Sequence, residues 1–363
     1  MLSELLNERN YLPILSDING QAVTKDNWER KRLELLDLLE KYSYGQTPRI
    51  PVKVSGKITE CDDIAYAGKV LNQKVQITFE TEHGKTDFPL ELFIPKRVEK
   101  PPVLLHIAFR PVPDRYIPVE EITDSGYALA VVVYTDLVND NLNGDYSDGI
   151  AKHFGTTENR RDDEWGKIGM WAYGASRALD YLVAERKELD TSRVAVIGHS
   201  RLGKTALWCA AQDERFAAAI SNNSGYGGAA SSKHGEGERI NDFINYGSWD
   251  WFCENFKKFK DAEDDKPYDQ SFLLALIAPR LLAVGSAKDD RGADPKSEFL
   301  TTLHASRAWN ILGQNGLVCP DRLPETGDLY TDGNICYHYR ENRHFLSRED
   351  WNAYIKFLDK KFK

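Results

Sequence analysis

The chain has 363 residues, 41% of them hydrophobic and 28% charged, with a formal net charge of -9 and a pI near 5.5. That size and composition suit a large folded core rather than a disordered chain, and the acidic balance offers no cationic face for nucleic acid or an anionic membrane. No apolar run reaches the roughly 20 residues needed to span a bilayer.

The start, Met1 to Glu8, carries acids where a signal peptide would have a basic stretch before an apolar one, which implies a cytoplasmic chain or the mature form of an exported one. From Trp28 to Tyr44 apolar residues recur three and four apart, predicting an amphipathic helix that Pro48 and Pro51 end. Alternating segments at Lys53–Thr59, Val75–Glu80 and Phe88–Ile94 predict antiparallel strands with one wet face. From Pro102 the runs become short and continuously apolar: Val103–Ala108, Ala128–Tyr134, Val194–Ile197, Ala217–Ile220 and Arg280–Val284. Such runs are expected of parallel strands covered on both faces. Helical patterns lie between them, clearest at Gly169–Arg186 and Lys204–Gln212, so the prediction is a doubly wound, mostly parallel α/β sheet flanked by helices in three layers.

With no internal repeat and no linker, one domain over 1-363 is the simplest division, residues 1-100 leading into the sheet. The connection 221-260 exceeds ordinary loop lengths and is expected to be a structured insertion over a site. The five cysteines form neither a disulfide framework nor a CxxC signature, although an oxidising compartment could join Cys319 to Cys336.

Chemistry concentrates in Val194-Ala-Val-Ile-Gly198-His-Ser200-Arg201-Leu-Gly203-Lys204. A buried strand, a glycine turn and a helix start put Ser200 on the strand-turn-helix corner of a nucleophile elbow, with helix-start N–H groups facing any oxyanion at the serine. The usual G-x-S-x-G spacing is broken, because Gly203 comes one position late; a serine that merely caps a helix would leave a similar trace. In the α/β-hydrolase chain order the acid and the histidine follow the serine. His304 falls in a helical pattern and is expected to pack, and His234 precedes any acid-bearing strand, leaving His338 and His344 in a late loop before the last helix. For the acid, Asp289 and Asp290 follow the strand ending at Val284, where open parallel sheets meet their ligands.

Gly198-x-Ser200-Arg201-x-Gly203-Lys204 resembles the G-x-S-R-x-G-K motif of the glucuronoyl esterase family of carbohydrate esterases, delayed glycine included. The similarity continues through Ser224-Gly-Tyr-Gly-Gly-Ala-Ala230, Gly235-Glu236, Arg239-Ile-Asn241, Trp251-Phe-Cys253, Ala275 to Leu282, Ala293-Asp-Pro295 and the H-x-R-x-x-x-H-x-x-x-x-x-D-W spacing from His338 to Trp351. The resemblance implies an α/β-hydrolase fold and cleavage of 4-O-methyl-glucuronate esters that join xylan to lignin alcohols. It assigns Ser200 as nucleophile, His344 as proton shuttle, Arg201 as oxyanion-stabilising group, Lys204 as a contact to sugar hydroxyls and Glu236 as a ligand of the uronate ring.

Two positions depart from the family pattern. Many members carry the triad acid directly before Ser-Gly-x-Gly-Gly, where this chain has Asn223; the alternative D-x-W-A-D-P pattern gives Asp290, with Asp289 as the fallback. The tryptophan of that pattern, which packs on the sugar, is Gly292 here. The expectation is a serine carboxylic ester hydrolase, glucuronoyl esterase-like, using Ser200, His344 and Asp290 through an acyl-enzyme, without cofactor or metal, as a monomer acting on a small-molecule or polysaccharide ester. An acetyl or other small-acyl carbohydrate esterase is the second reading, and a silent carbohydrate-binding scaffold the third.

Overall fold

The apolar runs become the centre of one ten-stranded sheet with the order β1-β2-β3-β5-β4-β6-β7-β8-β10-β9. The structure is a computed structural model and describes residues 1–154 and 159–363. Three long antiparallel strands, β1 (Lys53–Ala65), β2 (Val70–Thr81) and β3 (Gly84–Pro95), form one edge. They outrun the alternating segments seen in the sequence because β1 keeps pairing with β2 through largely exposed residues, where hydrophobic alternation carries no signal.

β3 then joins, antiparallel, a block of parallel strands: β4 (Pro102–Ala108), β5 (Ala128–Val133), β6 (Asp190–His199), β7 (Ala218–Asn222), β8 (Leu281–Ala287) and β10 (Ile335–Arg340), with the two-residue β9 (Leu329–Tyr330) at the far edge. β4, β7 and β8 are buried along their whole length, as strands covered on both faces must be. One face packs on the helices Lys167–Glu185 and Arg201–Gln212, and the other on the last helix, Arg348–Phe362. This mostly parallel sheet with helices on both faces is an α/β-hydrolase fold.

β10 corrects the expectation of a loop there. His338 lies within this strand, with a buried ring edge-on to Tyr354, while His344 lies in the loop beyond it. The sequence hides the strand because its buried residues include His338 and Arg340, the latter paired with the buried Asp350 of the last helix. His304 packs, as expected, stacked on Tyr11 at 4.7 Å. Cys319 and Cys336 are both free thiols.

Candidate active site

Ser200, Asn223, Asp290 and His344 all follow the carboxyl ends of β6, β7, β8 and β10, four strands that are neighbours in the sheet. Residues distant in the chain therefore meet at one end of the parallel block, the position at which such sheets take ligands. The corner at Ser200 is sharp, with φ 58° and ψ -129°, and its N–H donates to Asn222 O at 2.9 Å across the strands. Its side chain makes no capping bond to the following helix, so the hydroxyl is not consumed as a helix cap.

The surrounding spacing has a steric reason. A Cβ on Gly198 would lie 2.0 Å from Leu202 O, so the strand can turn here only without a side chain. Gly203, one position later than in the usual motif, is the residue that faces the end of β7: a Cβ there would come within 3.1 Å of Ser221 Oγ and Ser224 Cβ. Leu202 takes the skipped position and is fully buried in the core.

His344 Nδ1–H donates to Asp290 Oδ2 at 2.6 Å, leaving Nε2 for other work. Asp290 also accepts from Asn223 Nδ2 at 2.8 Å. Burial pushes the Asp290 carboxyl up, but the bonds from His344 and Asn223 outweigh it and hold the group below its ordinary range. Asp289, by contrast, is exposed, and its backbone N–H bonds Asn342 O. Asn223 thus supports the neighbouring acid from the end of β7. Among the described residues no hydrogen bond joins Ser200 to His344; catalytic bonds of this kind commonly tighten with substrate.

Beneath His344 lies His199, ring centroids 4.4 Å apart. Asn222 Nδ2 donates to Tyr354 OH at 2.8 Å, which turns Asn222 Oδ1 toward His199 Nδ1 at 2.7 Å and sets the His199 proton on Nδ1. Burial first, and then the neighbouring His344, lower the His199 pKa to about 3, so this ring is a neutral platform. The loop bearing His344 is gathered by Arg340, whose guanidinium bonds Asp350 at 2.9 Å and the carbonyls of Glu341, Arg343 and Phe345.

Arg201 forms an ion pair with Asp140, and its guanidinium sits 4.4 Å from the Trp251 ring centre. Asp140 is itself fixed by Trp251 Nε1 at 2.8 Å and Tyr134 OH at 3.0 Å. Arg201 Nε is buried without a hydrogen-bond partner among the described residues, and its backbone N–H opens a helix whose first N–H groups have no intrahelical acceptor. Lys204 Nζ, almost fully buried, donates to Ser224 O at 2.6 Å and to Glu238 Oε2 at 3.3 Å.

The structure does not bring Glu236 to Lys204. Glu236 is exposed and its backbone N–H bonds Asp294 Oδ2, whereas the Glu238 N–H is held by Gly292 O at 3.0 Å, which turns the second glutamate onto the lysine. Gly292 itself faces open space, with nothing within 4 Å of where a Cβ would stand.

Sequence reasoning also missed Asp140 and Glu298, and it left Trp251 open between pocket lining and core. Glu298 is fully buried and accepts from Ser224 N–H at 2.8 Å, Gly225 N–H at 3.0 Å and Ser286 Oγ at 2.6 Å, so it pins the turn after β7; burial pushes its carboxyl up to about 8. Its only sequence trace is an acid four residues past Asp294 inside an otherwise buried helix. Among the described residues no group of three His, Cys, Asp or Glu side chains is arranged to hold a metal ion.

Comparison with known proteins agrees with this architecture. Residues 64–313 match the family described as "Glucuronyl esterase, fungi". Carbohydrate esterase MZ0003, from an unknown prokaryotic organism, is 32% identical over 94% of this chain and 87% of its own length. The 4-O-methyl-glucuronoyl methylesterase of Cerrena unicolor is 26% identical over 81% of this chain, which spans only 60% of that longer protein. A solved glucuronoyl esterase from Solibacter usitatus superposes with a TM-score of 0.89 at 32% identity, covering 98% of both chains. This chain belongs to the glucuronoyl esterase family, a family of carboxylic ester hydrolases acting on carbohydrates.

Proposed function

We propose that the chain is a glucuronoyl esterase that works through an acyl-enzyme on Ser200. Ser200 Oγ attacks the uronate carbonyl as His344 Nε2 takes its proton, and Asp290 holds the imidazole tautomer and stabilises the imidazolium. The oxyanion faces the Arg201 N–H and guanidinium, whose anchored geometry needs no reorganisation as charge develops. His344 returns the proton to the departing alkoxide, and water then repeats the sequence on the acyl-enzyme. Lys204 and Glu238, rather than Glu236, hold the ring hydroxyls.

The observation that carries this reading is the 2.6 Å His344–Asp290 bond on the strand ends beside the Ser200 elbow. A fluorophosphonate probe is expected to label the chain and to fail on Ser200→Ala. Turnover of the benzyl ester of glucuronic acid should exceed that of an acetylated sugar. The open space at Gly292 favours a second reading, a small-acyl carbohydrate esterase, and preference for the acetyl ester would establish it instead.

A further inference from the structure

Lys167 is the first residue of the helix Lys167–Glu185, and its side chain is fully out of water. Both settings oppose a cation: burial strips its hydration, and the N-terminal end of a helix is the positive end of its dipole. The ammonium is nevertheless saturated. It has three protons to donate, and it meets Asn139 Oδ1 at 3.3 Å, Asn141 O, and Asp250 Oδ2 at 3.0 Å. A charge placed at such cost, with every proton spent on protein, is there to hold those acceptors together.

The three acceptors bracket two other residues. Asn139 and Asn141 stand on either side of Asp140, and Asp250 immediately precedes Trp251. Asp140 and Trp251 are joined in turn by the 2.8 Å bond from Trp251 Nε1, and between them they hold Arg201, Asp140 by the ion pair and Trp251 by its ring face. Gly144 N–H and Tyr146 OH also bond Asp250, each at 3.0 Å, but they lie past Asn141, so it is the ammonium that ties the backbone around Asp140 to Asp250. A guanidinium that has to meet a developing oxyanion must be held to a fraction of an ångström, since a misplacement of about 1 Å can cost about 100-fold in rate. We infer that Lys167 is a positioning residue: its ammonium keeps Asp140 and Trp251 in register with each other and so aims the Arg201 guanidinium at the reacting centre. This rests on the role of Arg201 proposed above.

The test is kinetic, on the benzyl ester of glucuronic acid. Lys167→Met is expected to lower kcat about tenfold with KM little changed, as lost aim at the transition state requires. In the Arg201→Ala background the same substitution should cost nothing further; a second loss of about tenfold there would mean that Lys167 acts elsewhere and would overturn the inference. Lys167→Met/Asp250→Leu separates positioning from stability, because it removes the unpaired acid as well. A kcat that stays low in this sturdier protein supports the inference, and one that returns with the melting temperature sinks it. Asn139→Ala takes away one acceptor, keeps the ion pair and so folds without an orphaned charge; its kcat should fall about threefold, and a kcat unchanged in both Asn139→Ala and Lys167→Met rejects the positioning role. A crystal structure of Lys167→Met reads the placement without turnover: Arg201 and Trp251 drawn away from Asp140 support the inference, and all three unmoved overturn it. A wild-type chain that leaves the ester uncut condemns the acyl assignment instead, and the crystal then decides the role of Lys167.

Discussion

At Ser200 the backbone occupies φ 58° and ψ -129°, a region that residues with a Cβ enter at a cost. The cost is built into the corner that exposes the hydroxyl, so Ser200→Gly should be more stable than Ser200→Ala by about 1 kcal/mol or more, both being inactive; paired urea melts measure the gap. Asp290 stores the opposite kind of term. Burial raises its carboxyl, but the bonds from His344 and Asn223 prevail and its folded pKa lies below the ordinary value. A carboxyl depressed on folding contributes stability above its unfolded pKa of about 3.9 and loses it as pH falls through the folded value. The stability difference between wild type and Asp290→Asn should therefore be full near about pH 6 and shrink below about pH 4; denaturant melts across that range would show a constant difference if the shift were absent. Ser200 was legible because its neighbours are sterically compelled glycines. Glu238 was not, because the bond from its N–H to Gly292 O that aims it crosses between loops far apart in sequence.

Among the elements, the loop after β10 depends on one side chain. Arg340 binds the Asp350 carboxylate and three loop carbonyls, so it ties His344 to both the strand behind it and the helix ahead. Arg340→Lys keeps a cation for Asp350 but cannot span the carbonyls, since an ammonium lacks the planar fork. Its kcat is expected to fall roughly tenfold or more through misplacement of the imidazole, with KM little changed. The parallel strands from Val103 to Val284 could be read from their apolar runs because nothing polar interrupts them. β10 could not, for its Arg340 is paired with Asp350, and no local pattern announces a partner from another element. The length of the segment 221-260 raises the expectation of a structured insertion, but its contribution of Trp251 and Glu238 to the surroundings of Arg201 and Lys204 emerges only from packing.

Across the whole molecule, the buried Lys167–Asp250 pair joins a sheet-covering helix to the segment that carries Trp251. Burial pushes the Asp250 carboxyl up and Lys167 opposes it. Lys167→Met leaves that acid without its cation and should cost about 3–5 kcal/mol, much of it recovered in Lys167→Met/Asp250→Leu; a double-mutant cycle on thermal melts measures the recovery. The sheet order has a wider consequence. Ser200, Asp290 and His344 follow β6, β8 and β10 in the second half of the chain, and the loop that holds His344 is anchored on Asp350 in the helix Arg348–Phe362. During synthesis the loop of His344 therefore stays unanchored until the helix Arg348–Phe362 has emerged and docked, well after the serine elbow has left the ribosome.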